Sequence, residues 1–157
     1  MVGLAVVPRQ ASPSEAEEVA RLLHDFNTEF ATPTPGVAVL ASRLRNLLAT
    51  DATYAVLTGT PSLGVALVTV RPNVWFPGPV ALLDELYVVP THRGQGLGSA
   101  ILGHVLALAR EAGCQLIEIN VDEGDHDARR FYEHHGFSAS DPDTAEQALY
   151  YYRTLAG

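Results

Sequence analysis

The chain has 157 residues, enough for one domain with a real core, and 1–157 reads as a single domain without repeats or a linker. Hydrophobic residues make up 47% and charged residues 18%, both globular values, and no apolar run nears the roughly 20 residues of a membrane span. The net charge of −8 argues against nucleic acid or an anionic membrane as a partner and suits a cationic substrate.

Leu4 to Val7 reads as a short strand, after a start, Met1-Val2-Gly3-Leu4, that lacks the basic-then-apolar layout of a secretion signal. Ser12-Pro13-Ser14-Glu15 is a helix start: Ser at the N-cap, Pro in the first turn, Glu closing a capping box. Val19, Leu22, Leu23, Phe26 and Phe30 follow with helical spacing until Thr32-Pro33-Thr34-Pro35-Gly36 breaks the pattern. A second helix carries Val39, Leu40, Leu44, Leu47 and Leu48. Tyr54 to Thr58 and Leu63 to Val70 form a hairpin through Gly59-Thr60-Pro61-Ser62. Pro72 to Pro79 is a loop with Trp75 and Phe76 at its tip, and Val80 to Val89 is a long strand stopped by Pro90.

A glycine-rich turn then leads into a helix from Gly98 to Glu111, capped by Gly113. Cys114 is the only cysteine; it can form no internal disulfide, reads as a small buried residue and points to a reducing, cytoplasmic setting. Gln115 to Val121 alternates as a strand, and Asp127 to His135 is a short helix closed by Gly136. Phe137 to Ala139 and Ala148 to Leu155 are the last strands, the second carrying Tyr150, Tyr151 and Tyr152. The order β-α-α-β-β-β-α-β-α-β-β predicts an α/β fold (α+β by some schemes) with helices on both faces of a mixed sheet.

Arg93-Gly94-Gln95-Gly96-Leu97-Gly98 carries the most chemistry. A glycine-rich turn between strand and helix points backbone N–H groups at a phosphate, and missing Cβ atoms allow close approach. A Walker loop needs lysine, and all 10 cationic side chains here are arginine. A dinucleotide fingerprint needs its third glycine one residue later. Arg93, Gly96 and Gly98 instead fit the pattern Arg/Gln-x-x-Gly-x-Gly/Ala. Downstream, Ala128-Arg129-Arg130-Phe131-Tyr132-Glu133-His134-His135-Gly136-Phe137 fits Asn-x-x-Ala-x-x-aromatic/Leu-Tyr-x-x-x-Gly-Phe, with Asp125 at the Asn position. These two motifs, in this order with a strand between them, resemble the GNAT superfamily of acyl-CoA-dependent N-acetyltransferases from Val80 to Phe137.

The resemblance implies a mixed, mostly antiparallel sheet whose central parallel pair, Val80 to Val89 and Gln115 to Val121, splays at a β-bulge. It implies acetyl-CoA as co-substrate and no metal. The diphosphate would lie on the amides of Arg93, Gly94, Gln95, Gly96, Leu97, Gly98 and Ser99, and pantetheine along the backbone of Leu86, Tyr87, Val88 and Val89. Asn120 and Asp125 are candidates for polar contact with pantetheine, although a carboxylate at Asp125 accepts where Asn can also donate.

An alkyl amine of pKa about 10 must lose a proton before it attacks, and the leaving thiolate must gain one. The family's tyrosine near the sulfur falls on Tyr132, a phenol able to protonate a thiolate. Asp84 and Glu85 interrupt an otherwise apolar strand, which is costly without a purpose. Strand alternation sends the two to opposite faces, so one reaches the cleft. Resemblance to spermidine/spermine N-acetyltransferases, which carry an acidic pair at this distance before the loop, favours Asp84 as the base. Trp75 and Phe76 are candidates to wall the acceptor pocket, and Asp122, Glu123, Asp125 and Asp127 form an acidic cluster. The expected activity is acetyl transfer to a primary amine of a small molecule (polyamine, aminoglycoside or amino-acid-like) by direct attack in a ternary complex. The alternatives are protein or peptide N-acetylation and a non-catalytic acyl-CoA-binding module. A homodimer, common in the family, is a further expectation.

Overall fold

A computed structural model describes residues 6–156; Leu4 and Ala5 of the expected first strand lie outside them. The elements are β1 (Pro8–Gln10), α1 (Ala16–Glu29), α2 (Val37–Leu47), β2 (Thr53–Thr58), β3 (Gly64–Arg71), β4 (Val80–Val88), α3 (Leu97–Glu111), β5 (Ile117–Ile119) and α4 (His126–His134). Contacts gather into two units, one ending at Ile119 and one starting at Asn120.

The first unit is a five-stranded sheet in the order β1-β2-β3-β4-β5. Its first three pairings are antiparallel and β4–β5 is parallel. All six residues of β2 are buried, so this strand is covered on both faces. Ala55 and Leu57 pack with Val19, Leu22, Ala41 and Leu44 of α1 and α2. Tyr54, one residue out of phase, sends its hydroxyl to the Val105 carbonyl of α3 at 2.9 Å. Adjacent strand residues face opposite ways, so α1 and α2 cover one face and α3 the other. No helix of the described residues is long and apolar enough to cross a membrane.

Local chemistry explains the boundaries. The capping box at Ser12 and Glu15 forms as expected and opens a short 3-10 turn that runs into α1. α3 ends where Gly113 takes φ +85°, with Gly113 N–H donating to Arg110 and Cys114 N–H to Ala109. This Schellman closure satisfies carbonyls the helix leaves open.

The β3–β4 register carries the feature on which the site depends. Leu67 pairs with Glu85 and Val68 with Leu83, so Asp84 is one extra residue in β4. The parallel pairing with β5 runs only from Ala81↔Ile117 to Leu83↔Ile119 and stops at that bulge. β5 is shorter than the expected Gln115 to Val121, and its pairing ends where the bulge interrupts β4.

In the second unit, Asp125 caps α4 by accepting from Ala128 N–H at 3.1 Å. Gly136, at φ +87°, closes the helix. The strands expected at Phe137 to Ala139 and Ala148 to Leu155 do not form. Their ends meet only in a small hairpin, with a single bridge Ser140↔Gln147 and the bond Ala148 N–H to Ala139 O at 2.7 Å. The Asp141 carboxylate holds the turn by accepting from Asp143 and Thr144 N–H. Beyond it Tyr150, Tyr151 and Tyr152 are exposed and outside any ladder, so their β propensity has no pleated surface to act on.

Two glycines provide opposite tests of this packing. A Cβ on Gly78 would lie 2.2 Å from the Gly113 carbonyl oxygen, whereas one on Gly103 of α3 would meet nothing within 4 Å. Gly78→Ala should lower stability to chemical denaturation by about 1–3 kcal/mol. Gly103→Ala should raise it by about 0.5–1 kcal/mol. Equal effects of the two substitutions would contradict this arrangement.

Candidate active site

The bulge decides where the two strand acids go. Glu85 stands opposite Leu67, and Leu67 packs on the α1–α2 side. Asp84 accepts from Thr69 Oγ1 at 2.5 Å, and Thr69 is two residues along β3 from Leu67, on the same face. Both acids thus occupy one face. The expectation that alternation would separate them is corrected: a bulge places two successive residues of one strand opposite one of its neighbour. Desolvation raises the Asp84 carboxyl above its ordinary value, opposed by the Thr69 hydrogen bond. Desolvation raises Glu85 too, and the neighbouring Asp84 charge raises it further. Glu85, unlike Asp84, has no hydrogen-bond partner among the described residues.

The bulge also reverses the backbone. Before it, Ala81 N–H donates to Leu116 O at 3.0 Å, toward β5. After it, Val89 N–H donates to Leu63 O at 2.9 Å, on the β3 side. With period two, Tyr87 shares that direction, while Leu86 and Val88 aim their amides to the side where no described strand pairs with them. Of the four backbone positions expected along pantetheine, only Leu86 and Val88 therefore present N–H groups there. Tyr87 and Val89 spend theirs inside the sheet.

Beyond Val88 the chain makes one 3-10 turn, Pro90–His92, and enters the glycine loop. Gly94 and Gly96 take φ +74° and +83°, and Gly96 is the N-cap of α3. The N–H groups of Gly94, Gln95, Gly96, Leu97 and Gly98 have no partner among the described residues. At Leu97 and Gly98 that follows from helix geometry, since no carbonyl lies one turn back. The loop is thus a concentration of N–H donors at the positive end of a 15-residue helix, suited to a dianionic phosphate group. Ser99 follows in the first turn and is exposed.

Arg93, whose amide is expected on the diphosphate, spends that N–H on Pro90 O at 3.4 Å. Its Nε donates to Val88 O at 2.9 Å, and its two terminal nitrogens lie 2.9 Å from the two Glu29 carboxylate oxygens. Tyr87 completes the cluster, with its hydroxyl 3.1 Å from Glu29 Oε1 and its ring beneath the guanidinium at 5.5 Å. The Arg93 hydrogen bond holds the Glu29 carboxyl below its ordinary value, with desolvation opposing it. Sequence reading passed over Glu29: it is one more acid on an amphipathic helix, and its partner is 64 residues away.

The remaining candidates lie outside the bulge and the glycine loop. Tyr132 lies on α4 with its ring against Phe131 and Phe137 at 5.2 and 5.5 Å. Asn120 is exposed and follows the last residue of β5. Asp125 is committed to its helix cap, a task Asn performs equally well. Trp75 and Phe76 are held by the Asn73 carboxamide at 2.8 and 2.9 Å. Their loop abuts Gly113, at the C-terminal end of α3 and about 22 Å of helix from the glycine loop. Burial pushes the Cys114 thiol up, the opposite of an activated nucleophile.

The chain is similar to known proteins. Over 58 residues the chain is 40% identical to the aminoalkylphosphonate N-acetyltransferase of Salmonella typhimurium, a match covering 37% of this chain and 38% of that enzyme. The chain thus spans well under half the length of this curated relative. A provisionally assigned acetyltransferase from Arthrobacter sp. FB24 has 54% identity and a TM-score of 0.91, over 99% of this chain and 100% of that one. The aminoglycoside N-acetyltransferase AAC(6')-Iy, crystallised with CoA, has the same fold at 17% identity, with a TM-score of 0.78 over 98% and 97% of the two chains. A model of the acetyltransferase (GNAT) family matches residues 18–137. The chain belongs to the acetyltransferase (GNAT) family.

Proposed function

We propose that this protein transfers an acetyl group from acetyl-CoA to a primary amine of a small molecule, by direct attack, within one catalytic domain spanning 1–157. The observation that carries the reading is the bulge at Asp84. It ends the β4–β5 ladder, turns the Leu86 and Val88 amides to the open side and sets two carboxylates on one face, just before a loop of unpaired N–H donors. The relatives acting on aminoalkylphosphonates and aminoglycosides support a small amine as acceptor. The family match from 18 to 137, crossing from the first unit into the second, supports one domain.

Acetyl-CoA supplies the activated acetyl thioester. The amides of Gly94 to Gly98 hold its diphosphate, and those of Leu86 and Val88 face pantetheine and the acyl carbonyl. Hydrogen-bond donors aimed at developing oxygen charge are worth about 2.7–4 kcal/mol each in other acyl transfers. Glu85 takes the proton from the incoming ammonium. Of the pair it suits this role better, because Asp84 is occupied by Thr69, and desolvation, with the Asp84 charge, raises the affinity of Glu85 for a proton. Tyr132 returns a proton to the departing thiolate; this role comes from its place in the second motif. Nothing at Asp125 calls for a non-catalytic reading, since its carboxylate is accounted for by the cap.

Three measurements test the proposal. Calorimetry should detect coenzyme A binding to the wild type and none to Gly96→Val, because a β-branched residue at φ +83° forces the loop out of shape. Retained affinity would remove the loop from the site. With an amine acceptor, kcat/KM should rise with pH through a group above the ordinary glutamate range. Glu85→Gln should abolish that limb and lower the plateau about 10²–10⁴-fold. Asp84→Asn should move the limb to lower pH, since it deletes the charge that raises Glu85. A limb that does not move in either variant would exclude the pair. Tyr132→Phe should lower kcat while leaving coenzyme A affinity unchanged, and undiminished turnover would take Tyr132 out of the mechanism.

A further inference from the structure

The glycine loop has a mechanical problem. A Cβ built on Gly94 or Gly96 meets nothing within 4 Å, and residues from Arg93 to Gly96 are exposed, so core packing does not hold the loop. Positive φ at two of four residues makes it a conformation that glycine permits but does not enforce. Diphosphate binding through backbone amides nevertheless needs those amides aimed in advance.

The Arg93 side chain answers that need. At one end Nε fastens the start of the loop to the Val88 carbonyl, closing the turn that contains Pro90–His92. At the other, the guanidinium forks onto both oxygens of Glu29 in the last turn of α1. A planar fork binding a carboxylate twice fixes orientation as well as distance. Glu29 is itself steadied by the Tyr87 hydroxyl, and the Tyr87 ring lies 5.0 Å from Phe26 of α1. The strut therefore joins three places: the end of β4, the glycine loop and α1. The charge of Arg93 is already matched by Glu29, and its Nε and both terminal nitrogens are already engaged.

We propose that Glu29 is a positioning residue for the coenzyme's diphosphate: through its two-pronged bond to Arg93 it locks the loop, and Arg93 serves as a strut and not as a phosphate ligand. This rests on the reading of the glycine loop as the diphosphate site. The test is calorimetry with coenzyme A and with pantetheine, which lacks the diphosphate, on folded protein checked by thermal melting. Glu29→Gln keeps the shape but offers Arg93 a single acceptor. It should weaken coenzyme A binding about tenfold, equivalent to ~1.4 kcal/mol, and leave pantetheine binding unchanged. Arg93→Lys, whose single ammonium cannot span Val88 O and both Glu29 oxygens, should do the same, and the double variant should be no weaker than either single one. Unchanged or tighter coenzyme A binding by Glu29→Gln would overturn the proposal, because a released Arg93 would then be gripping phosphate. Should Glu29→Gln fail to fold, unchanged affinity in Arg93→Lys overturns it equally. Absence of coenzyme A binding to the wild type would instead overturn the reading of the loop.

Discussion

One inserted residue in β4 organises this molecule. A regular strand would have continued its parallel pairing with β5, leaving Leu86 and Val88 inside a ladder and Asp84 and Glu85 on opposite faces. The extra residue changes all three outcomes together, because backbone direction, side-chain direction and pairing are governed by the same period of two. The open edge and the acidic face are thus one consequence of a single register shift. A substitution that removed the bulge would alter both.

The second constraint is the transition from β4 to α3. Its donors are available because the first turn of a helix cannot satisfy them internally, and the glycines at φ +74° and +83° let the chain reach that helix start. Availability and rigidity conflict here: every main-chain bond that would stiffen such a loop would use one of its open donors. The Arg93 side chain reaches Val88 O and Glu29 without using the N–H groups of Gly94 to Gly98.

Much of this was legible locally. The capping box at Ser12, the hairpin between β2 and β3, the glycine loop and the closures at Gly113 and Gly136 all depend on neighbours a few residues apart, and all formed where residue chemistry put them. What was not legible was non-local: the resemblance implies a bulge in this strand, but nothing in Leu83-Asp84-Glu85-Leu86 marks which residue is inserted, because a bulge is defined against the opposing strand. The β5 pairing ends at the same bulge. The aromatic run at Tyr150 to Tyr152 has strand-forming residues but no ladder, and Glu29 acquires meaning only when folding brings Arg93 to it.

The carboxylates separate by what meets them. Glu15 and Glu29 face arginine and Glu18 accepts from the Ser62 backbone, and all three carboxyls lie below their ordinary values although desolvation opposes the shift. Such groups add stability above the unfolded pKa that is lost as pH falls through the folded one. Asp84 and Glu85 are raised, so the folded state binds their protons more tightly than the unfolded chain does. Their contribution is most favourable below the unfolded values and declines as pH rises through the window above them. Folding therefore retains, at neutral pH, a pair of acids that work against it. A cation placed beside them would oppose both shifts by supplying the opposite charge that arginine supplies to Glu29. A pair of acids without an ion-pair partner among the described residues, on the face reached by the bulge, is electrostatically suited to a cationic group.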